Sequence, residues 1–421
     1  MANKRSIGEW VRQNIVTVIF IILCAACFIL SGETPAYVAM ELVNRLARNA
    51  FIVLSLIIPI VAGMGINFAI TIGAMAAQIA ILWVLEWQIP GIGGFLVAAL
   101  MTIPIASLFG FLIGKLLNKM KGQEMIGGMI LGYFANGLYQ LLFLFIFGNL
   151  IPLHTDGLVI KGSTGVANTL DMSGPTGIRK ALDNLWSLEF APALYLFAGL
   201  IAVVMLILYL RKSIPLRRFV VVVAVLAACV IAVQFPAVNE IFFLVRVPVV
   251  TFLVVGLLCL FNVVIMKTRL GQQFRAVGQN RVVANAAGIN VDKTRIIAII
   301  FSTVLAGLGH LIFAQNLGSL QTYGAHEQVG LYAGAAILVG GASIVKATNG
   351  QALLGALLFH LLFIVVSGAG RTVFGDAAIG EYFRVFISYG VIAVALVMHA
   401  WSAVSKRKDP EAQLRAASEK A

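Results

Sequence analysis

The sequence predicts an all-α, polytopic transmembrane bundle of about 10–12 helices. That expectation rests on composition, on the spacing of the charges and on their sidedness. Hydrophobic residues make up 61% of the 421 and charged residues 11%, against roughly 45–50% and 25% in soluble globular proteins. A water-soluble chain of this length needs a polar skin that this composition cannot supply. Most of the surface is therefore expected to face lipid.

In hydrocarbon every backbone polar group must be paired internally, so a spanning helix needs about 20 residues almost free of charge. Charge-free stretches run from Arg12 to Glu33, Arg48 to Glu86, Glu86 to Lys115, Glu124 to Asp156, Glu189 to Arg211 and Arg218 to Glu240. Others run from Arg246 to Lys267, Arg295 to Glu327, Glu327 to Lys346, Lys346 to Arg371 and Arg384 to Lys406. The first reads as an uncleaved helix: the apolar run Ile15 to Leu30 is long for a signal core, and no A-x-A site precedes Glu33. The second holds two passes, with a break near Gly63, Gly65 and Asn67. The run from Gly330 to Val345 is short enough to be a half-helix. Arg246, well inside an apolar stretch, is expected to snorkel toward the outer interface.

The net charge of +13 is spread in short clusters between apolar runs rather than gathered on one face, which argues against a nucleic-acid partner. With a cytoplasmic N-terminus, roughly 22 of the 30 basic residues fall inside, the bias the positive-inside rule expects. Those clusters are Lys4 to Arg12, Lys115 to Lys121, Arg211 to Arg218, Lys267 to Arg295, Lys346 and Lys406 to Lys408. Both termini are then cytoplasmic. Residues 1–421 read as one transmembrane domain with an extracytoplasmic loop at 151–188, a possible extra helical hairpin at 190–236 and a cytoplasmic segment at 267–295. Small residues such as Gly110, Gly114, Gly128, Gly132, Gly334, Gly340 and Gly341 are expected at close helix contacts.

Several chemistries find no support. There is no G-x-x-x-x-G-K-[ST] string; Gly110 to Lys115 has the wrong spacing and lies in an apolar run, so no ATP site is expected here. No H-E-x-x-H or G-x-S-x-G occurs. Cys24, Cys27, Cys229 and Cys259 lie in apolar runs, which suits neither a disulfide framework nor a metal site. The histidines are far apart, with His154 and His326 expected in outside loops and His310 and His360 inside the bilayer. The apolar runs contain essentially no acids; Glu86 and Glu327 fall at expected outer ends. An ion-coupled secondary carrier, the alternative reading, would need such acids for its ion site. A membrane enzyme would need a catalytic cluster at one depth, and none is visible.

The segment Leu270 to Lys293 (LGQQFRAVGQNRVVANAAGINVDK) is polar, too long for a turn and expected in the cytoplasm. Val282 to Ala287 favours a short helix that Gly288 stops. Its small residues would let a partner groove approach the backbone.

At these residues the chain resembles the permease subunits of bacterial ABC importers for simple sugars, nucleosides and branched-chain amino acids, of the ribose-permease type. That family carries G-x-x-x-R-A-x-G-x-N-x-x-A-A-x-x-x-G-I-x-V ahead of a helix rich in small residues. Gly271, Arg275, Ala276, Gly278, Asn280, Ala284, Gly288, Ile289 and Val291 stand at matching positions, with Asn285 in place of the second paired alanine. The strings STVLAGLGH from Ser302, AGAAILVGGAS from Ala333 and NGQALLGALL from Asn349 are similar to the family's carboxyl-terminal half. GMGINFAITIGAM from Gly63 looks like its core-helix motif, and KGQEMIGGMILGYFANG from Lys121 looks like the nucleoside-type branch. The stretch Ile151 to Pro236 is longer than the family usually shows.

The resemblance implies the ABC importer permease fold in the bacterial cytoplasmic membrane, without an ATPase site or cofactor of its own. It implies two ATPase subunits gripping the loop, with Arg275, Ala276, Gly278, Asn280, Ala284, Ala287, Gly288 and Ile289 as coupling residues. A second permease, identical or a sister chain, and an extracytoplasmic substrate-binding protein complete the implied assembly. Candidate path residues are the polar and aromatic groups within apolar runs: Asn67, Phe68, Gln78, Tyr133, Asn136, Gln140, His310 and Asn316. Uncharged hydrogen-bonding groups beside an aromatic suit a small neutral solute, a simple sugar or nucleoside.

Overall fold

The structure, a computed structural model, describes residues 14–160, 165–212, 214–376 and 378–386, with isolated positions up to 397. In chain order the helices are α1 (Ile15–Ser31), α2 (Pro35–Leu54), α3 (Ile57–Val61), α4 (Ile70–Glu86), α5 (Gly91–Lys119) and α6 (Glu124–Leu141), the last running into a π-turn at Leu142–Ile146. They continue as α7 (Phe190–Leu210), α8 (Leu216–Gln234), α9 (Pro236–Phe242), α10 (Val249–Ile265), α11 (Arg269–Gln279), α12 (Arg281–Ala286), α13 (Val291–Leu317), α14 (Val329–Val339) and α15 (Asn349–Phe374). Short strands β1 (Thr169–Asp171), β2 (Ser187–Glu189), β3 (Arg246–Pro248) and β4 (Ser319–Gln321) form two antiparallel pairs, β1 with β4 and β2 with β3. Leu170 faces Leu320 in one and Leu188 faces Val247 in the other.

Helix α13 is the axis of the bundle, packed against α2, α4 and α5. Small residues make that possible: a Cβ on Gly110 would lie 2.9 Å from Ile300 Cα, and one on Gly307 would lie 2.8 Å from the Gly73 carbonyl oxygen. Backbones meet there, as expected where lipid removes the hydrophobic drive between helices. Helix α15 closes the other side against α1, α2 and α14. Helices α7 and α8 pack on each other at the periphery, with Ala193, Ala198 and Val233 their buried positions.

Among the described residues, seven helical stretches are long and apolar enough to cross a membrane, or eight if the bent pair α10–α11, with its 76° break, is one span. The chain is thus an all-α polytopic membrane protein. Helices α1, α4 and α14 are apolar but only 17, 17 and 11 residues long. The basic residues Lys4 to Arg12, most of the stretch from Arg384 to Lys406, His399 and the Lys406 to Lys408 cluster lie outside the described residues.

One use of charges as boundaries needs correction. Glu41, Arg45 and Arg48, which lie between two of the charge-free stretches, do not interrupt the helix. They lie within α2, where Glu41 Oε1 accepts from Arg45 Nε at 2.8 Å and from Arg48 Nη2 at 3.0 Å. Charges paired at helical spacing stay inside a span, so a charge-based boundary fails there. Arg246 opens β3 opposite Glu189 and is exposed.

The segment 151–188 is tied down rather than loose. Glu86 at the end of α4 accepts from the His154 amide at 2.8 Å and the Thr155 amide at 3.1 Å. Asp183, 6% exposed, accepts from Thr251 at 2.5 Å, Gln315 at 3.1 Å and Asn316 at 2.7 Å. One carboxylate therefore pins this segment to α10 and α13.

Candidate functional site

The site begins with α6. Positions 129, 132, 133 and 136 share one helical face, and Met129, Gly132, Tyr133 and Asn136 line a cavity of about 220 Å³ together with Phe68, Thr71 and Glu327. Phe68 ends an irregular stretch before α4 and is seated by glycines: a Cβ on Gly330 would lie 2.6 Å from its carbonyl oxygen, and one on Gly334 would lie 3.1 Å from its ring. The rest of the α6 face is apolar and exposed, with Tyr133 at 78% and Phe134 at 65%.

A chain of polar side chains leads inward from that cavity. Asn136 Nδ2 donates to Glu327 Oε1 at 3.0 Å, and Asn136 Oδ1 lies 2.8 Å from His326 Nε2. His326 Nδ1 lies 2.9 Å from Gln78 Oε1, and Gln78 Nε2 lies 3.2 Å from His310 Nε2. Gln78, His310 and His326 are each 0% exposed. Asn136 donates to Glu327, so its oxygen must accept from His326, and His326 Nε2 carries a hydrogen. Tyr139 lies beside this histidine, ring centroids 4.6 Å apart and planes tilted by 59°, and donates to the Thr322 carbonyl at 3.0 Å.

The α11–α12 corner is built around helix caps. Thr268 caps α11, and Asn280 Oδ1 accepts from the amides of Val282 and Val283 at 2.9 and 3.2 Å to start α12. Gly288, at φ +79°, ends that turn in the left-handed region where glycine is unstrained, and Asn290 caps α13. The α11–α12 corner seats against the turn after α3, where a Cβ on Gly63 would lie 2.7 Å from Gly278 Cα. Arg281 Nη2 donates to the Gly63 carbonyl at 3.0 Å and to Glu124 Oε1 at 2.8 Å. Glu124 also accepts from Arg295 and from the Gly122 amide. This carboxylate, 7% exposed, ties α12 and α13 to the first residue of α6.

The expected path residues divide accordingly. Phe68, Gln78, Tyr133, Asn136 and His310 come together in the cavity and its polar chain. Asn67 instead donates to Ser302 at 3.2 Å and accepts from the Ala69 amide, bracing the start of α4. Asn316 belongs to the Asp183 cluster, and Gln140, half-buried, lies one turn beyond Asn136 outside the cavity lining. Around the α11–α12 corner Arg275, Asn280, Ala287 and Gly288 are exposed, Ala276, Gly278 and Ile289 half-buried, and Ala284 buried against Val277 and Val291. The outward apolar positions of α12 are Val282 and Val283, 79% and 62% exposed.

Sequence reasoning missed His326 and Glu327, which it assigned to an outer loop, and the buried acids Glu124 and Asp183. An acid at the start of an apolar run, as at Glu124, was the one available signal. Among the described residues no cluster of His, Cys, Asp and Glu could hold a metal ion, and Cys24 and Cys27 are buried free thiols.

A family model described as branched-chain amino acid transport system / permease component matches residues 39–396. Curated relatives include a probable ABC transporter permease of Escherichia coli, YphD, 31% identical over 36% of this chain and 43% of that protein. The nucleoside ABC transporter permease NupC of Lactococcus lactis is 29% identical over 41% of this chain and 53% of its own. The xylose transport permease XylH of Haemophilus influenzae is 34% identical over 27% and 30%. The chain spans about half the length, or less, of the curated relatives it matches. No solved structure matches it. Together with the all-α membrane fold, the match across most of its length establishes that this chain belongs to the permease-component family of ABC transport systems.

Proposed function

We propose that the chain forms one half of the translocation path of an ATP-driven importer for a small neutral polar solute, a simple sugar or nucleoside. One observation carries this reading: the cytoplasmic α11–α12 corner is joined through Arg281 and Glu124 to α6, and α6 supplies Tyr133 and Asn136 to the cavity. A pull on α12 would therefore reach the solute-facing wall through a buried charge. Two ATPase subunits would dock on 275–289, engaging Val282 and Val283, and would bind the ATP that this chain has no motif for. A second permease, a copy or a sister chain, would cover the exposed apolar face of α6 and complete the cavity. At about 220 Å³ that cavity falls below the roughly 300–1,000 Å³ of most small-molecule sites. An extracytoplasmic binding protein would deliver solute on the side of 151–188. The setting is the bacterial cytoplasmic membrane, with both termini cytoplasmic. Relatives named for nucleosides and xylose support the solute class.

The test is ATP hydrolysis by the chain reconstituted with its co-purified ATPase and binding protein, screened against pentoses, hexoses and nucleosides. Stimulation by one class is expected and names the solute. Uptake driven by a proton gradient without ATP would instead make Glu327 and His326 the ion site of a secondary carrier.

A further inference from the structure

A second cavity, about 270 Å³, lies between α2, α13, α14 and α15 and is separate from the coupling corner and the Asn136 chain. Its wall is largely apolar, with Phe313, Val329 and Phe363. Two guanidiniums, Arg45 and Arg48, also line it, and both rest on one oxygen of Glu41. Each guanidinium has five N–H donors; Glu41 is the one hydrogen-bond acceptor that either finds among the described residues, and Arg45 also lies over the Phe363 ring, 5.0 Å from its centroid. One carboxylate neutralises one of the two charges. His360, 6% exposed, lines the same cavity, and its Nδ1 has no partner among the described residues. Intramembrane cations without full compensation are costly, and buried polar atoms are normally paired. An apolar cavity with surplus donors at one side matches a ligand that carries an oxyanion on an apolar body.

We propose that this cavity is an oxyanion-binding site, taking the phosphate or carboxylate of an amphiphilic ligand at Arg45 and Arg48 with its apolar part against Phe313 and Val329. Guanidinium forks suit both groups because they present paired donors. The ligand comes either from the surrounding leaflet, as a phospholipid, or from the aqueous phase, as an apolar carboxylate. The site does not depend on the import reading.

The purified full chain in detergent is titrated calorimetrically with dioctanoyl phosphatidylglycerol, octanoate, dioctanoylglycerol and inorganic phosphate. Saturable binding of phosphatidylglycerol or octanoate, with dioctanoylglycerol at least about tenfold weaker, is expected. Phosphatidylglycerol alone identifies lipid as the source; octanoate binding as well identifies a soluble carboxylate. Arg48→Gln should weaken binding about tenfold. Glu41→Gln, which removes the competing negative charge, should tighten it several-fold, a change that misfolding cannot imitate. Equal binding of dioctanoylglycerol, binding of none of the four or of inorganic phosphate alone, or no response to either substitution overturns the proposal.

Discussion

Arg281 Nη2 lies 2.8 Å from Glu124 Oε1, so the short helix α12 and the first residue of α6 share a charge across 157 positions of sequence. Arg295, fully buried, rests on the same oxygen. The two arginines differ in exposure, 32% for Arg281 against 0% for Arg295, and that difference separates stability from coupling.

Glu124→Gln leaves Arg295 buried without its counter-charge and should cost about 3–5 kcal/mol, seen as a large drop in the thermal midpoint in detergent. Arg281→Gln, which removes a partly exposed partner and leaves Glu124 its contact with Arg295, should change stability by only about 1 kcal/mol yet lower solute-stimulated ATP hydrolysis in the reconstituted assembly. Equal loss of stability in both variants would contradict a separate coupling role.

The surface of α12 gives a sharper test of docking. Val282→Ser with Val283→Ser should leave the unfolding midpoint nearly unchanged, because both side chains are exposed, and should reduce co-purification of an ATPase subunit. Ala284→Leu, at a buried position packed on Val277 and Val291, should destabilise the chain by about 1–3 kcal/mol through overpacking. Retained co-purification in the serine variant would place the docking surface elsewhere.

Two glycines at the same corner should behave differently. An added Cβ at Gly278 falls on the Val61 carbonyl, whereas at Gly288 nothing lies within 4 Å and only φ +79° opposes a side chain. Gly288→Ala is expected to cost about 1 kcal/mol; Gly278→Ala must move α11 away from α3 and should sharply reduce folded yield. Fluorescence-detected size exclusion of the two variants compares them directly.

Along the inner polar chain, Gln78→Leu deprives both His310 and His326 of a partner, at about 1–3 kcal/mol for each stranded group. Asn136→Ala, at the half-buried cavity edge, should cost less stability and more uptake. Parallel thermal melts and solute-uptake assays distinguish the two; an uptake-neutral Asn136→Ala would remove the cavity from the path.

Parts of the site were readable from local chemistry. Polar residues stranded in apolar runs singled out Phe68's neighbourhood, Gln78, Asn136 and His310, since only a polar partner or a water-filled space makes them tolerable there. The order Asn280, short helix, Gly288, Asn290 is likewise local, each residue capping or stopping the element beside it. Reading charges as boundaries failed wherever charges had found partners. Glu41, Arg45 and Arg48 compensate one another within α2.

The sequence alone determined that this chain lives in a bilayer and which family it belongs to, because composition and short motifs need no partner to be recognised. Tertiary structure alone decided which polar residues meet. The contacts Gln78 to His310, Asn136 to His326 and Glu124 to Arg295 span 232, 190 and 171 positions. Each depends on the depth and rotation of two helices, and those are set where Gly73, Gly110 and Gly307 let backbones touch.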